Sequence, residues 1–489
     1  MFDWLRQLTT RRLARMYRHV RYRILRGHYD AALTTPENRR HWANADYLSA
    51  DAAANPEVRR ILRSRARYET VNNSYAKGIV LTLANDVIGT GPRLQMLTPD
   101  AEANRRIERE FMRWAKAVCL AEKLRTLRMT QATDGECFIL MATNPELPTA
   151  VQLDLRVIEA DQVTTPDRAI LDPRAVDGIV FDEYGNPVTY HLLTVHPGDW
   201  RADLRLDYDR VPARSMIHYF RVDRPGQSRG IPEITPALPL FAQLRRYTLA
   251  VIAAAETAAD FAAVLYTDAP ADGNGESGED LPEVELQSRM AVPLPEGWRA
   301  EQMKAEQPAT TYTDFKREIL NEIARCLNMP YNIAAANSSG YNYASGRLDH
   351  QTYFQNIRVE QEHLGSRVLD RILTAWIDEA VLVEGLLPQS VRMRDADLSH
   401  QWFWDGREHV DPAKEASAQA TRLASHTTTL AAEYARQGRD WESELRQRGK
   451  EVALMAKLGL TTTPASPPAQ DDDHEDADEK EESDARAAA

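Results

Sequence analysis

The chain has 489 residues, a length typical of two to four folding units rather than one small core. With 43% apolar and 27% charged residues it has the composition of a soluble globular protein, and its formal charge of −13 is carried largely by one end, so the charge says little about partners. Its three cysteines are far apart and contain no CxxC pair, which argues against a disulfide framework or a metal knuckle and suggests a reducing compartment.

The two ends of the chain carry opposite charge. Residues 1–26 contain eight arginines and a single acid, whereas residues 464–489 contain ten acids against one lysine and one arginine. We interpret residues 1–27 as a basic arm, either an amphipathic helix or a fraying terminal one, and residues 463–489 as an acidic disordered tail. The N-terminal residues lack the apolar stretch of a signal peptide.

Residues 28–232 are predicted to form an α+β block. Apolar residues recur at helical spacing over 55–88, and residues 101–133 are also predicted to be helical. Strands are then favoured over four stretches with turn residues between them: 135–143, 151–160, 178–195 and 215–222.

A segment rich in turn residues, "YFRVDRPGQSRGIPEITP" at 219–236, precedes the most alanine-rich part of the chain. Its prolines and glycines favour tight turns. Its arginines, Arg221, Arg224 and Arg229, are suited either to a phosphate or to a structural role, in which they pair with carboxylates or cap a helix C-terminus. Both interpretations stay open at the level of sequence.

Residues 236–265 are predicted as one helix, and eight of the fourteen residues 250–263 are alanine. Such a helix is either buried in a core or packed closely against other copies in an oligomer, with Glu256 and Asp260 facing a solvent channel. Placing the same two acids in a bilayer would cost too much free energy for a lone membrane span, so we expect no membrane partner.

The remainder of the chain alternates helices with irregular segments. The Gly-, Pro- and acid-rich stretch 267–283 cannot build a core of its own, and two short strand-like pieces follow it. The later expectations are helices over 312–327 and 346–380 with a polar loop between them, an extended stretch over 391–412, and helical structure over 412–458.

Signals for an enzyme are weak. The carboxylates of Asp134 and Glu136 in "TDGE" are more typical of a turn, and His218 and His363 have no second metal ligand at helical spacing. No phosphate-binding loop or nucleophile motif is present in the sequence. A hydrolase or nuclease with a Cys–His pair is the alternative class, because such partners need not be adjacent in sequence. We expect no catalytic residue, cofactor or metal.

Four segments, taken in order, resemble the lambda-type portal protein family of tailed bacteriophages. They are "RSRARYETVNNSYAKGIVLTLANDVIGTGPRLQ" (63–95), "HYFRVDRPGQSRGIPEITPAL" (218–238), "ILNEIARCLNMPYNIAAANSSGYNYASGR" (319–347) and "HVDPAKEASAQATRLASHTTTLAAEYARQGRDWESELRQRGKE" (409–451). The chain has "NYASGR" where the family commonly has "NYSSxR", and neither terminal arm belongs to the shared pattern.

The resemblance implies a portal protein rather than an enzyme. The implied assembly is a closed ring, most often of twelve subunits, at one vertex of a procapsid, where it acts as a channel for double-stranded DNA without sequence specificity. The implied partners are the large terminase subunit, the major capsid protein and scaffold, and the head–tail adaptor. The implied location is the virion, and the host cytoplasm during assembly.

The implied fold is α+β and mainly helical, with a wing, a two-helix stem, a clip and a crown. Mapped onto this chain, its segments are the basic arm (1–27), the wing (28–232), the first stem helix (233–264), the clip (265–308), the second stem helix (309–330), the tunnel loop (331–345), the tunnel helix with the remainder of the wing (346–410), the helical crown (411–462) and the acidic tail (463–489).

Three groups of residues are candidate sites under this resemblance. The corner between wing and stem contains Arg224, Pro225, Gly226, Gln227, Arg229 and Gly230. The tunnel loop offers DNA the weak contacts of Asn337, Ser338, Ser339, Tyr341, Asn342 and Tyr343, with Arg347 as the nearby cation, since a densely basic bore would grip phosphates and stall movement. The clip presents Asp268, Asp272, Glu276, Glu279 and Asp280 to basic surfaces of the terminase or adaptor.

Overall fold

The structure is a computed structural model that describes residues 33–165, 174–200, 207–259, 263–267, 298–302, 309–388, 398–406 and 412–460. Its helices are α1 (Ala50–Ala53), α2 (Pro56–Asn72), α3 (Ser74–Ile88), α4 (Ala101–Ala117), α5 (Leu120–Asp134), α6 (Leu238–Ala259), α7 (Ala309–Arg325), α8 (Tyr331–Ala334), α9 (Tyr343–Leu364), α10 (Asp370–Ala380), α11 (Pro412–Ala424), α12 (Leu430–Arg436) and α13 (Trp441–Lys457). A five-residue π-helical stretch, Gly365–Leu369, joins α9 to α10 without a break.

Antiparallel strands make up the rest of the regular structure. They are β1 (Arg93–Met96), β2 (Glu136–Thr143), β3 (Leu153–Ile158), β4 (Ala175–Val176), β5 (Ile179–Phe181), β6 (Pro187–Leu193), β7 (Tyr208–Pro212), β8 (Met216–Phe220), β9 (Ala263–Thr267), β10 (Trp298–Gln302) and β11 (His400–Phe403). One sheet has the order β3-β2-β8 and another the order β4-β5-β6-β7, while β1 pairs with β11 and β9 pairs with β10.

Capping side chains fix where the first long helices begin and end. Asn55 accepts a hydrogen bond from the N–H of Val58, and Pro56 occupies the first position of α2, where its missing N–H costs nothing. Asn73 ends α2 and also caps α3 by accepting from the N–H of Tyr75. A single residue therefore separates the two helices and fixes the angle between them.

One large hydrophobic core lies between the three-stranded sheet and the helices. Phe111 is at its centre, with ring centroids 5.2 Å from Trp114 and 5.4 Å from Trp376. Both halves of the chain contribute to it, since Leu83 of α3 and Ile357 of α9 are both fully buried there. A second, smaller apolar cluster lies between β2 and the four-stranded sheet.

The fold is α+β and mainly helical, as predicted, but several boundaries differ from the expectations. The alanine-rich helix ends at Ala259, and residues 263–267 form β9 instead of its last turn, because they pair with β10. The segment 331–345 is not a loop throughout: it begins with α8 and ends inside α9. The C-terminal helical part is broken twice, where Thr429 and Asp440 cap new helices.

Within the ranges that the structure describes, no helix is both long and apolar enough to cross a bilayer.

Candidate functional site

The segment 219–236 joins β8 to α6 and is folded back on itself by one side chain. Gln227 accepts hydrogen bonds from the N–H groups of Asp223 (2.9 Å) and Arg224 (3.2 Å), and it donates to the carbonyl of Arg229 (2.9 Å). Ser228 is held from outside, because its hydroxyl donates to Asp51 of α1 at 2.7 Å. The segment is therefore an ordered part of the fold.

A tight turn lies inside this segment. The N–H of Gln227 donates to the carbonyl of Arg224 at 3.2 Å, so Pro225 and Gly226 are the two central residues of the turn. Gly226 has a φ of +76°, and proline followed by a residue of positive φ is the combination of a type II turn. The turn chemistry predicted for this stretch is present.

Arg229 is almost completely enclosed, with 1% of its surface exposed. Its guanidinium donates to the carboxylate of Glu136 at 2.7 and 2.9 Å, to the carbonyl of Val163 at 3.0 Å and to Asp177. Burial alone would raise the pKa of Glu136, but Arg229 and His218 hold it well below its usual range. The carboxylate is therefore ionised and fully paired in the interior.

The other two arginines of the segment are more exposed than Arg229. Arg221 donates to Asp223 at 2.7 Å and to Glu233 at 3.1 Å, and Arg224 donates to the backbone carbonyl of Leu48 at 2.9 Å. Two of the three arginines thus pair with carboxylates, which favours the structural interpretation of the segment over a phosphate site.

Three arginines of α2 extend the charge cluster around Glu136. Arg59 pairs with Asp177, Arg63 with Asp161 at 2.7 Å, and Arg67 with Asp134 at 2.6 Å and Asp161 at 2.8 Å. They are spaced four residues apart, which places them on one face of the helix. This cluster was not predicted, although the spacing of the arginines and the two acids of "TDGE" are both visible in the sequence.

His218 completes the cluster on its apolar side. Its Nε2 lies 2.9 Å from a carboxylate oxygen of Glu136, and its ring is stacked on Phe138 and Phe220, with centroid distances of 4.3 Å to each. Burial lowers the pKa of this imidazole despite the adjacent carboxylate. His218 is therefore a neutral packing residue at pH 7.

A second buried ion pair holds the far end of the segment. Arg128 of α5 donates to Glu233 at 2.8 Å, and both side chains are almost completely enclosed. Glu360 of α9 lies 3.8 Å from the same guanidinium, and burial raises its pKa. Ion pairs of Arg229 and Glu233 thus fix the second half of the segment to the α+β body.

Two glycines allow the segment to approach β2 closely. A Cβ atom on Gly230 would overlap the backbone carbonyl of Gly135, and one on Gly135 would overlap the backbone of Ile231. Gly135 also has a φ of +87°. The close contact between the two backbones requires glycine at both positions.

Aromatic side chains make the contact between α6 and α7. Tyr247 lies 5.6 Å from Tyr312 and 4.7 Å from Phe315 between ring centroids. Leu249 and Ile252, on another side of α6, are exposed in the chain. The first part of α6 is buried in the core through Phe241 and Leu244, whereas most side chains from 249 to 256 are exposed.

The segment between α8 and α9 brings most of the predicted tunnel residues together on the surface. Asn337, Ser338, Ser339 and Asn342 are exposed, and Tyr341 is half-buried. The loop is ordered by local hydrogen bonds, of which the N–H of Ser339 to the Asn337 side chain (2.9 Å) is one.

Two flanking positions complete this group. Tyr343 is the first residue of α9, and Arg347 is exposed one turn later. The predicted clip residues Asp268, Asp272, Glu276, Glu279 and Asp280 lie outside the described residues, so nothing in the structure bears on them.

Several of the groups considered for catalysis are enclosed or already paired, whereas Cys119 and His363 are exposed. The thiol of Cys137 donates to backbone carbonyls, and burial raises its pKa above the ordinary range; burial also raises the pKa of Cys326 to about 11. Glu159, Asp161 and His196 lie close enough together to hold a metal ion. Both of these carboxylates already contact Arg67, so the group offers a cation little net negative charge.

Comparison with known proteins gives consistent matches. A profile of the family described as "Phage portal protein, lambda family" matches residues 36–361. A probable portal protein of Halomonas phage phiHAP-1 is 27% identical over 426 residues, which cover 82% of this chain and 81% of that protein.

Two solved structures are also similar, though only partly. The neck of a native gene transfer agent particle computed with C12 symmetry has 15% identity and a TM-score of 0.47, over 79% of this chain and 94% of that one. An HK97 family phage portal protein from Corynebacterium diphtheriae has 11% identity and a TM-score of 0.31, over 72% and 96%. The assignment rests on the sequence matches: the chain belongs to the lambda family of phage portal proteins.

Proposed function

We propose that this chain is the subunit of a closed ring that forms the DNA channel at one vertex of a phage procapsid. The single observation that carries the proposal is the lambda-family match over residues 36–361. We assign twelve subunits, the terminase motor, the capsid with its scaffold and the head–tail adaptor as partners on the family resemblance. The assembled protein then resides in the virion, after assembly in the host cytoplasm.

The segments of the portal fold are assigned to the elements of this chain. The wing is the body built from α2 to α5, β1 to β8, and the later elements α9, α10 and β11. The stem is formed by α6 and α7. The pair β9–β10 begins and ends the clip, and α11 to α13 form the crown. The exposed side of α6 supports the stem assignment, because Leu249 and Ile252 face water in a lone chain and are covered in a ring.

The segment 219–236 is then the corner between wing and stem. Its type II turn and its two buried ion pairs fix the direction in which α6 leaves the wing. A channel that moves DNA needs subunits that keep their shape under load, and charge pairs inside the subunit meet that need without placing guanidinium groups in the bore.

The loop 336–342 is assigned to the narrowest part of the channel. Its exposed amides and hydroxyls make weak contacts with DNA, and Arg347 is the cation placed to meet phosphate. Weak contacts suit a channel, because each strong cation–phosphate contact adds affinity that opposes sliding.

Ring formation is the direct test of this function. Purified chain is expected to form closed rings with a central hole in negative-stain images, with a mass near twelve times 55.3 kDa by mass photometry. Monomers alone, across protein and salt concentrations, would contradict the proposal. The alternative, a Cys–His hydrolase or nuclease, predicts turnover by the monomer that Cys119→Ser or Cys137→Ser abolishes, whereas a portal retains ring formation and DNA packaging in both variants.

A further inference from the structure

One side of the stem and wing is both apolar and basic. On α2, Tyr68 and Val71 are 56% and 80% exposed, and on α6, Leu249 and Ile252 are 58% and 49% exposed. Arg245 joins the two helices, because its guanidinium lies 5.8 Å from the Tyr68 ring centroid. The exposed cations Arg65 and Arg246 lie three residues before Tyr68 and Leu249, so each lies one turn from an exposed apolar side chain. We call this surface the basic face.

The exposed side of α7 has the opposite charge. Asp314, Glu318 and Glu322 are exposed at intervals of four residues, which aligns them along one side of the helix. Phe315 lies three residues before Glu318 and is 47% exposed. In the part of the chain that the structure describes, none of the three acids forms a salt bridge. We call this surface the acidic face.

Two cations of α7 contact aromatic rings of the same chain. Lys316 lies 5.0 Å from the ring centroid of Tyr75, and Arg317 lies 5.4 Å from that of Tyr331. These contacts hold both cations against aromatic rings of their own chain. Arg317 is exposed beside Glu318 and Arg325 is exposed at the end of the helix, so the three acids of this face outnumber the two exposed cations near them.

The two faces lie on opposite outer sides of the helix pair. Tyr247 of α6 and Tyr312 of α7 mark the contact between the helices, with centroids 5.6 Å apart. Leu249 and Asp314 each follow these tyrosines by two residues, which is about 200° around an α-helix. Leu249 and Asp314 are therefore turned away from the partner helix, whereas Phe315 lies at the edge of the helix contact, beside Tyr247. A ring needs two different faces on each subunit.

We propose that the acidic face of one subunit packs on the basic face of a second copy of this chain. The inference rests on the proposed ring and names the surfaces that close it. Leu249, Ile252 and Phe315 would then be covered, and Asp314, Glu318 and Glu322 would face Arg65 and Arg246 of the next subunit. Opposite charge sets the direction and register of the contact, and the apolar side chains supply buried area.

Charge reversal on one face at a time tests the contact. One variant carries Asp314→Lys, Glu318→Lys and Glu322→Lys, and a second carries Arg65→Glu and Arg246→Glu. Each alone brings like charges together around the whole ring, so the protein concentration needed for half-maximal ring formation is expected to rise about tenfold or more. Mass photometry measures this concentration, and circular dichroism checks that each variant is folded.

Restoring complementarity should restore the ring. A chain that carries all five substitutions, and an equimolar mixture of the two variants, are both expected to form rings near the wild-type concentration. The matched control reverses three exposed acids away from both faces, Glu122→Lys, Glu146→Lys and Glu183→Lys, and is expected to assemble normally.

The outcomes separate this inference from the proposed function. Wild-type chain that forms no rings overturns the ring itself. Wild-type rings together with unchanged assembly of either one-sided variant overturn only the pairing of the two faces. Loss of assembly that the five-substitution chain and the mixture both fail to restore also overturns the pairing, and it indicates that one face binds another partner or another segment of the chain.

Discussion

Arg229 is a fully enclosed guanidinium whose donors all meet acceptors inside the wing. Glu136 accepts from Nε and Nη2, the carbonyl of Ala160 also accepts from Nη2, and the carbonyl of Val163 and the carboxylate of Asp177 accept from Nη1. Such an ion pair adds little to the free energy of unfolding compared with apolar residues of the same shape, but removing one partner leaves an unpaired charge in the interior. The stability lost by a substitution here therefore depends on whether the other charged partner is left in the interior.

Replacing Arg229 is expected to be far more damaging than replacing its exposed neighbour. Arg229→Met removes the guanidinium that donates to the buried Glu136 carboxylate and is expected to lower the free energy of unfolding by about 3–5 kcal/mol, whereas Arg224→Ala is expected to cost about 0.5 kcal/mol or less. Denaturant titration of the two variants measures the difference. The Arg229→Met, Glu136→Gln double variant should recover part of the loss, and strictly additive costs would mean that the two side chains are not coupled.

Gly230 tests the close contact between two backbones. Gly230→Ala places a methyl group onto the carbonyl of Gly135, which cannot rotate away, so a loss at the upper end of the overpacking range, about 3 kcal/mol, is expected. The matched control is Gly226→Ala in the same segment, where the added methyl meets open space and only the positive φ opposes it, at about 1 kcal/mol. Equal losses of stability in the two variants, measured by thermal unfolding, would contradict the steric explanation for Gly230.

Glu108 gives the wing a dependence on pH. Burial raises its pKa from 4.5 to about 7, against a hydrogen bond from the N–H of Met96, and Asp440 and Glu442 of the C-terminal part raise it further. The folded protein therefore binds a proton between pH 5 and 7 that the unfolded chain has released, so this group lowers stability as pH rises through that window.

Glu108→Gln should remove this dependence. The variant is expected to be more stable than wild type at pH 8 by about 1 kcal/mol, a value reduced because the side chain is partly exposed, and equal to wild type near pH 4.5. Thermal melts of both proteins from pH 4.5 to pH 8 give the difference curve. A difference that does not change with pH would show that Glu108 titrates normally.

The elements differ in how well their sequence predicts them. Helices α2 to α5 were predictable, because their apolar residues recur at helical spacing and side chains such as Asn55 and Asp100 cap them. Strand β7 and the pairing of β1 with β11 were not, since a strand of four or five residues is defined by a partner elsewhere in the chain. The end of α6 was missed for the same reason: alanine favours a helix, but pairing with β10 prevails.

The partners in the charge cluster around Glu136 could not be predicted from the sequence. Arg229 of the 219–236 segment was recognised as a candidate, but its partners Asp177 and Glu136 lie 52 and 93 residues away and come from a turn and a strand. Spacing identifies a helix face, and it does not identify what packs against it.

Deleting the loop between α8 and α9 tests the channel at the scale of an element. Removal of residues 336–342 takes out exposed polar side chains and leaves α7 and the body of α9 in place, so rings and procapsids are expected to form. DNA packaging or retention is expected to fall. The measurement is the length of DNA in particles that carry the deletion, with an Arg347→Gln variant to separate charge from shape. Full-length genomes, stably retained, would remove this loop from the DNA path.

At the scale of the whole molecule, the wing is assembled from two distant parts of the chain. β1 pairs with β11, Thr90 donates to Asp405 at 2.7 Å across 315 residues, and Tyr353 of α9 donates to Asp86 of α3 at 2.7 Å. The same link extends to the C-terminal helices, because Gln95 of β1 donates to Asp440, the residue that caps α13. No boundary near residue 232 separates an independent unit, even though the α+β part of the sequence ends there.

The pairing of β1 with β11 has a consequence for how the protein is made. A ribosome must deliver about 300 further residues after β1 before its partner strand exists, so the α+β body stays incompletely packed until β11 has been made. A product that ends early lacks β11 and the helices that fill the core, and we expect it to be degraded rather than to fold. Such degradation would keep unfinished subunits out of the proposed ring.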